Sequence, residues 1–413
     1  MLRNWAGNHT YIAGTIHEPV SVAALQELVA GLDRVRALGS RHSFTDLADT
    51  TGDLVSTASL PTEVSVEGAR LTARVAGGMR YGDVAEQLAD AGWALAAMAS
   101  LPHISVAGAV ATGTHGSGDR TGSLAAAVSA LELVGPDGKL RRLERGDDDF
   151  AGHVVSLGAL GVVTHVELDV EPAYVVRQDL LTDIAWSAAL EHLDEITAAA
   201  YSVSLFTDWA SGRVQQAWLK SRGTTAPVER WGGVPATAPL HMLAGADTAA
   251  VTAQGGVGGS WHRRLPHFRM DFTPSRGEEL QSEYLVPRAR AELAVERLLA
   301  LAPTYADLLQ VSEVRTVAAD DLWLSGAYDT DVVAFHFTWV RDVPGVRAVL
   351  PGIEEALLPL GGRPHWGKVF TARAEELRPL YPRFDTFRDL VLRTDPERKF
   401  GNAFLARCLD LEL

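Results

Sequence analysis

A single cysteine, Cys408, stands in the whole chain, which excludes an internal disulfide framework and any cysteine-ligated metal site. Its setting, Leu405-Ala406-Arg407-Cys408-Leu409, reads as packing, and no bound metal is expected. Positive charge is also scarce: 37 basic against 52 acidic residues give a formal charge of -15, and no run of Lys and Arg offsets it locally. Such a surface repels phosphodiester backbones, so no nucleic-acid partner is expected. Met1 to His9 lacks the apolar core of a secretory signal, and the expectation is a cytoplasmic protein. Two nucleotide-binding signatures are missing as well. No G-x-G-x-x-G follows a strand-like run and no G-x-x-x-x-G-K-S/T occurs, which leaves a Rossmann site and a P-loop unsupported.

Charge is absent altogether from Trp93 to Gly118, 26 residues without Asp, Glu, Lys or Arg. That is long enough for a membrane span, but Pro102, two His, four Gly and several hydroxyl side chains argue against lipid, and no membrane partner is expected. Within this stretch Ser105 to Ala111 reads as a short helix capped by Ser105, with small side chains on every face. Small faces let a backbone approach a bulky, flat or charged ligand, and free N–H groups at a helix start favour pyrophosphate. A tightly packed glycine-rich core loop explains any one of these glycines, but it has no use for so many hydroxyls.

What is present points to a large globular chain: 47% of the residues are hydrophobic, and 413 residues suffice for two domains or more. Val22, Leu25, Leu28, Val29 and Leu32 share one helical face between Val20 and Leu32. The short apolar segment Val35-Arg36-Ala37-Leu38 follows, and then the turn Gly39-Ser40-Arg41-His42-Ser43-Phe44. Gly39 lets the chain leave the strand, the hydroxyls and N–H groups of Ser40 and Ser43 suit a phosphate, and His42 stands in a loop at a strand end. On this stretch alone the alternative stays open, with Ser43 capping a short helix and His42 an exposed loop residue.

Further along, β-like runs at Leu54 to Leu60, Glu63 to Val66 and Leu71 to Val75 precede a helix from Tyr81 to Ala91. Gly135-Pro136-Asp137-Gly138 marks a hairpin between Ala126 to Val134 and Leu140 to Leu143. A strand over Thr164 to Val170 ends the unit at Glu171-Pro172-Ala173. The pattern is α+β rather than a βαβ alternation.

The second half carries polar residues at period-two positions in apolar strands. Glu313 and Arg315 share a face of Leu309 to Val317, roughly 6.5–7 Å apart at Cα. In Val332 to Val340, His336 and Thr338 oppose Val333, Phe335, Phe337 and Trp339, so they face a cavity or solvent. Gln281 and Glu283 share a face, and a fourth strand, Pro364 to Phe370, sets Lys368 among apolar residues. For each strand taken singly, a sheet with one wet face or a structural Glu–Arg pair is the open alternative.

Gly39 to Phe44, Ser100 to Gly118 and Ser156 to Val163, taken together, resemble the FAD-binding domain of the vanillyl-alcohol oxidase family. Within it the chain is similar to bacterial alditol (xylitol) oxidases, kin of the sugar-1,4-lactone oxidases, from Asn4-Trp5-Ala6-Gly7-Asn8 to Lys399-Phe400-Gly401-Asn402-Ala403-Phe404. The resemblance implies an α+β fold with a two-lobed FAD-binding domain of PCMH type at 1–173. A capping substrate domain with an antiparallel sheet follows at 174–370, and a C-terminal segment at 371–413 returns to the FAD domain. It implies FAD joined covalently to His42 through the 8α carbon of the isoalloxazine, although Arg41 occupies a position where relatives more often carry Gly. Cofactor contacts are implied for Gly39, Ser40, Arg41, Ser43, Phe44, Ser100, Ser105, Gly108, Thr112, Gly113, Thr114 and His115, with Val163 near the ring. Asn402 is open between closing the flavin site and a structural role.

By the same resemblance Ser100, Gln281, Glu313, Arg315, His336, Thr338 and Lys368 form a polar pocket over the ring. The implied activity is oxidation of a small polyol by O2, with Glu313 and Arg315 orienting hydroxyls, Lys368 beside the hydroxyl that loses its proton and His336 its rival. Burial and the Arg315 cation are expected to lower the Lys368 pKa. A monomer is expected. The alternatives are a sugar-1,4-lactone oxidase or dehydrogenase of the same fold, or an FAD-binding protein without catalysis.

Overall fold

The computed structural model of the protein describes residues 2–223, 230–272 and 278–411; the outermost residues of the expected first and last segments, 1 and 412–413, lie outside these. The first helix runs over Val22–Gly31, and Ser21 caps it by accepting the Ala24 N–H at 3.2 Å. It buries Leu25 and Val29 and hands the chain to the strand Val35–Leu38. That strand joins Ile16–His17 and Asp53–Ser56 in a small parallel sheet with Asp53–Ser56 in the middle.

A second, antiparallel sheet has the order Val64–Glu67, Thr72–Ala76, Val162–Asp169, Val128–Val134, Leu140–Glu144. The expected hairpin joins its last two strands, and Gly138 takes φ +74°, a value that favours glycine. Between the two sheets lies the uncharged stretch, whose helix Val106–Ala111 packs Val106, Ala109 and Val110 inward.

From Val175 onward the chain builds a nine-stranded sheet. Its central order is Arg213–Arg222, Ser202–Thr207, Leu309–Val317, Val332–Val340, Glu279–Pro287, with Arg363–Pro364 at one edge. One face of this sheet is apolar. Phe335, Phe337 and Trp339 are fully buried there with Tyr284 and Tyr305, under the helices Ala291–Tyr305 and Val343–Leu357. Side chains alternate along a strand, so His336 and Thr338 are thrown to the other face, towards the uncharged stretch. The expected α+β arrangement with an antiparallel cap sheet is therefore found.

One expected strand is not. The strand ends at Pro364, although the His365 N–H still donates to the Glu283 carbonyl at 2.9 Å, and Lys368 sits in a turn: its N–H donates to the His365 carbonyl at 3.0 Å and the Gly367 N–H to His365 Nδ1 at 3.1 Å. These local bonds bulge the chain out of the ladder until the Val369 N–H rejoins it at the Gln281 carbonyl, 2.7 Å away.

Candidate active site

One cavity of about 320 Å³ runs between the uncharged stretch and the polar face of the large sheet. Its cofactor-side wall is made of small residues. The turn Gly39 to Phe44 and the start of the short helix are locked together reciprocally. The Ser40 N–H donates to Ser105 Oγ at 3.3 Å and the Ser105 N–H to Ser40 Oγ at 3.0 Å. A Cβ on Gly39 would lie 2.6 Å from Ser105 Oγ, so only glycine permits this approach.

Two of the N–H groups expected to be free at the start of the short helix are already engaged. The Val106 N–H donates to the Met79 carbonyl and the Ala107 N–H to the Gly77 carbonyl, both at 2.9 Å. Ser43 is likewise engaged, donating from Oγ to the Gly367 carbonyl at 3.2 Å. Gly113 departs from its expected place, since it does not line the cavity. At φ +67° it turns the chain so that Thr112 and Thr114 do.

His42 lies beside Trp5, ring centroids 5.4 Å apart, with Nδ1 3.0 Å from Ser40 Oγ. Burial, and the neighbouring His103, push its pKa down to about 4, so the imidazole is neutral. Arg41 adopts φ +65°, the left-handed region where a non-glycine residue costs about 1–2 kcal/mol. This is the physical reason a glycine is favoured at that position. Asn402 is structural: its side chain accepts the Leu405 N–H at 2.9 Å as a helix cap and donates to the carbonyls of Leu47 and Asp49 at 2.8 and 2.9 Å.

The opposite wall is set by strand register. Glu313 pairs with His336, which pairs with Glu283, so two carboxylates flank one imidazole across three strands. In the next row Val311, Thr338 and Gln281 align. Arg315 faces the small Ala334, which leaves its guanidinium room to lean across to Glu283, Nη2 to Oε1 at 2.6 Å. Arg315 Nη1 donates to Ser100 Oγ at 3.3 Å, linking the two walls. Lys368 Nζ lies 2.5 Å from Glu283 Oε2 and 2.7 Å from His336 Nδ1, and His336 Nε2 is 3.1 Å from Thr338 Oγ1.

These charges are buried, Lys368 only in part, and hold one another. Burial opposes ionisation of Glu283, but Lys368 and Arg315 outweigh it and keep the carboxyl well below its usual range. Burial likewise opposes ionisation of Glu313, which Arg315 and His267 hold far down. Burial lowers the Lys368 pKa against the pull of Glu283, and Arg315 adds to the lowering, as the sequence suggested. Burial and the Lys368 cation keep His336 neutral.

Four groups that the sequence reading did not assign complete the site. Glu283 is its hub, and His115 Nε2 stands 3.2 Å from Glu283 Oε1, close in distance but outside hydrogen-bond geometry. His365 lines the cavity, with its pKa pushed down to about 3 by burial and Lys368. His267 Nε2 meets Glu313 Oε1 at 2.7 Å. Arg36 is fully buried and donates to the carbonyls of Leu47, Leu157, Gly158 and Phe400, with no carboxylate in ion-pair distance among the described residues. The sharing of a face by Gln281 and Glu283 signalled the hub; nothing periodic signalled His267, which lies in a loop.

The residues present fit FAD. A long cleft with an uncharged, small-residue wall suits a flat ring, and Arg36, a buried cation with no carboxylate at ion-pair distance among the described residues, suits a pyrophosphate nearby. Among the described residues no group of three or more His, Cys, Asp or Glu could hold a metal ion, and no helix is long and apolar enough to cross a membrane.

Fold and cleft define the class as an FAD-binding flavoprotein. Cholesterol oxidase from Brevibacterium sterolicum has a TM-score of 0.79, covering 98% of this chain and 96% of that one at 15% identity. A solvent-stable cholesterol oxidase gives 0.75 at 16% identity, again over 98% and 96%. Likeness at that identity concerns the fold alone. Residues 15–144 match the family described as FAD binding domain, and residues 272–408 that described as D-arabinono-1,4-lactone oxidase. An alditol oxidase from Streptomyces sp. is 49% identical over 413 residues, 98% of each chain. An L-gulono-1,4-lactone dehydrogenase from Mycobacterium tuberculosis is 31% identical over 437 residues, also 98% of each. The chain belongs to the alditol oxidase family, within the wider group of sugar-1,4-lactone oxidases.

Proposed function

We propose that the protein is an FAD-dependent alditol oxidase, which converts the terminal CH–OH of an open-chain polyol such as xylitol or sorbitol to the aldehyde. One observation carries this reading. Arg315 Nε is buried without a hydrogen-bond partner, 3.6 Å from Glu313 Oε2, which accepts no recorded bond either. A hydroxyl brought alongside them by a small turn of the guanidinium donates to Oε2 and accepts from Nε, relieving an unpaired donor whose burial costs about 1–3 kcal/mol. A polyol presents such hydroxyls on every carbon.

The chemistry supplied by FAD when bound is acceptance of hydride from the terminal carbon, with O2 as final acceptor and hydrogen peroxide as product. Ser40, Arg41, Ser43, Phe44, Ser105, Gly108, Thr112, Thr114, His115 and Val163 would hold the cofactor, and Gly39 and Gly113 shape the turns that place them. His42 is the site of covalent attachment in this reading: its ring is neutral, and with Nδ1 at Ser40 the other nitrogen stays uncommitted as a nucleophile.

Glu313 and Arg315 orient the reacting and adjacent hydroxyls, and Ser100, Gln281 and Thr338 bind those further along. Lys368 Nζ takes the hydroxyl proton. Its lowered pKa makes the neutral amine easier to reach than in a free lysine, and neutral His336 beside it adds no competing charge. We place FAD binding in 1–173, substrate capping in 174–370 and the returning segment in 371–413 of a cytoplasmic monomer. Peroxide formation measured on a panel of alditols, sugar-1,4-lactones and a cytochrome acceptor tests the assignment. Turnover of xylitol or sorbitol with O2 supports it, and turnover of lactones alone replaces it.

A further inference from the structure

Beside Glu313 lies a buried pair that the chemistry above does not use, His267 at the cavity wall and Lys220 behind it. Lys220, 1% exposed on Arg213–Arg222, places Nζ 2.6 Å from the Leu265 carbonyl, 3.1 Å from the Pro266 carbonyl and 3.0 Å from His267 Nδ1. Three acceptors thus meet the three N–H donors of an ammonium group. The His267 ring is wedged between Trp218 and Phe206, centroids 5.1 and 5.6 Å away, with Ser204 Oγ 3.4 Å from Nε2.

We propose that Lys220 is a positioning residue, which with Glu313 holds the His267 ring in one tautomer and one orientation, so that His267 in turn fixes the rotamer of Glu313. The inference rests on the reading of Glu313 as a holder of substrate hydroxyls. With Nδ1 accepting from Lys220, the one proton of a neutral imidazole sits on Nε2 and points at Glu313 Oε1, 2.7 Å away. That bond turns Oε2 towards Arg315 and the cavity. Burial and the Lys220 cation push the His267 pKa down to about 4, so the ring is neutral at working pH and its tautomer has to be chosen. Ionised Glu313, which can only accept, calls for the same tautomer from the Nε2 side, and Lys220, whose pKa burial pushes down to about 7, donates to Nδ1 from the other side as ammonium or as amine. Without Lys220 the ring loses its anchor at Nδ1 and is tied by Glu313 alone, so neither the imidazole nor the carboxylate is held in one orientation.

The test is anaerobic titration of the FAD-loaded protein with xylitol, read as loss of flavin absorbance, which yields affinity and limiting reduction rate separately. Lys220→Met is expected to weaken xylitol about tenfold, the loss of one well-placed hydrogen bond to a charged group, with the limiting rate near that of the parent. His267→Gln keeps an N–H donor towards Glu313 and has no tautomer to choose. It should retain affinity, and Lys220→Met added to it should cost nothing more. An equal loss in both backgrounds, or none in either, overturns the proposal. Should Lys220→Met not fold, His267→Leu must bind xylitol more weakly than His267→Gln; equal affinities overturn it. Imidazole ¹⁵N spectra give a readout independent of any polyol. In the parent the His267 proton is expected on Nε2 with Nδ1 shifted as a hydrogen-bond acceptor; Lys220→Met should abolish that shift, and a parent proton on Nδ1 refutes the strut. A parent flavin that no polyol bleaches counts against the proposed function, while these spectra still decide the strut.

Discussion

The two walls of the cavity are built on opposite principles. The wall from Trp93 to Gly118 has no charge, and the backbone of the short helix and the turn hold it through bonds such as the Ser40–Ser105 pair and the Val106 and Ala107 N–H groups. The facing wall gathers Glu283, Glu313, Arg315 and His336, all buried, with the partly exposed Lys368, each held by the others. A backbone-held wall tolerates loss of a side chain better than a charge-held wall, where every removal strands a partner. The first suits a large cofactor retained through many cycles. The second suits a substrate whose hydroxyls must replace water one by one.

Substitutions on the two walls should therefore differ in kind as well as size. Lys368→Met should slow flavin reduction by xylitol about a thousandfold, within the usual range for a general base, with FAD still bound. Stopped-flow reduction without oxygen measures it, and retained turnover removes Lys368 from the mechanism. In the parent, the lowered Lys368 pKa makes the reduction rate climb with pH through that value and level off above it, since the neutral amine is the active form. Glu283→Gln strands both Lys368 and Arg315, and chemical denaturation should register about 3–5 kcal/mol of lost stability.

The cofactor wall should respond more gently. His42→Ala is expected to keep yellow FAD in the folded protein but release it to the supernatant on acid precipitation, whereas the parent pellet stays yellow. A parent that also releases its flavin rules out the covalent bond. Arg41→Gly should be the smallest effect, a gain of about 1 kcal/mol from relief of the left-handed backbone, seen as a modest rise in Tm. A loss there would show that the contact of Arg41 Nη1 with the Arg3 carbonyl outweighs the strain.

What could be read from the sequence follows the same division. Period-two spacing placed Glu313, Arg315, His336 and Thr338 on one face because alternation in a strand is dictated by covalent geometry, and the aromatic partners on the other face removed the ambiguity. Cross-strand register is not local, so Glu283 could be seen to share a face with Gln281 but not to stand opposite His336. Lys368 was read into a strand because Pro364 to Phe370 is mostly apolar; the turn made by His365 and Gly367 depends on side-chain bonds that no pattern encodes. The helix start from Ser105 was recognised, yet the fate of its N–H groups was not, since Met79 and Gly77 reach it from a distant loop. His267 and Lys220 come together from a loop and a strand 47 residues apart, and only a Lys on an apolar strand face hinted at either.

The central claim, that one charged wall presents a polyol to a flavin on the other, is tested most directly by the visible spectrum of the purified protein, without oxygen, before and after xylitol. The account predicts a flavin spectrum that bleaches on addition. A yellow protein that stays yellow with xylitol and sorbitol would contradict the polyol assignment, and a colourless protein that takes up no FAD would contradict the cofactor wall itself.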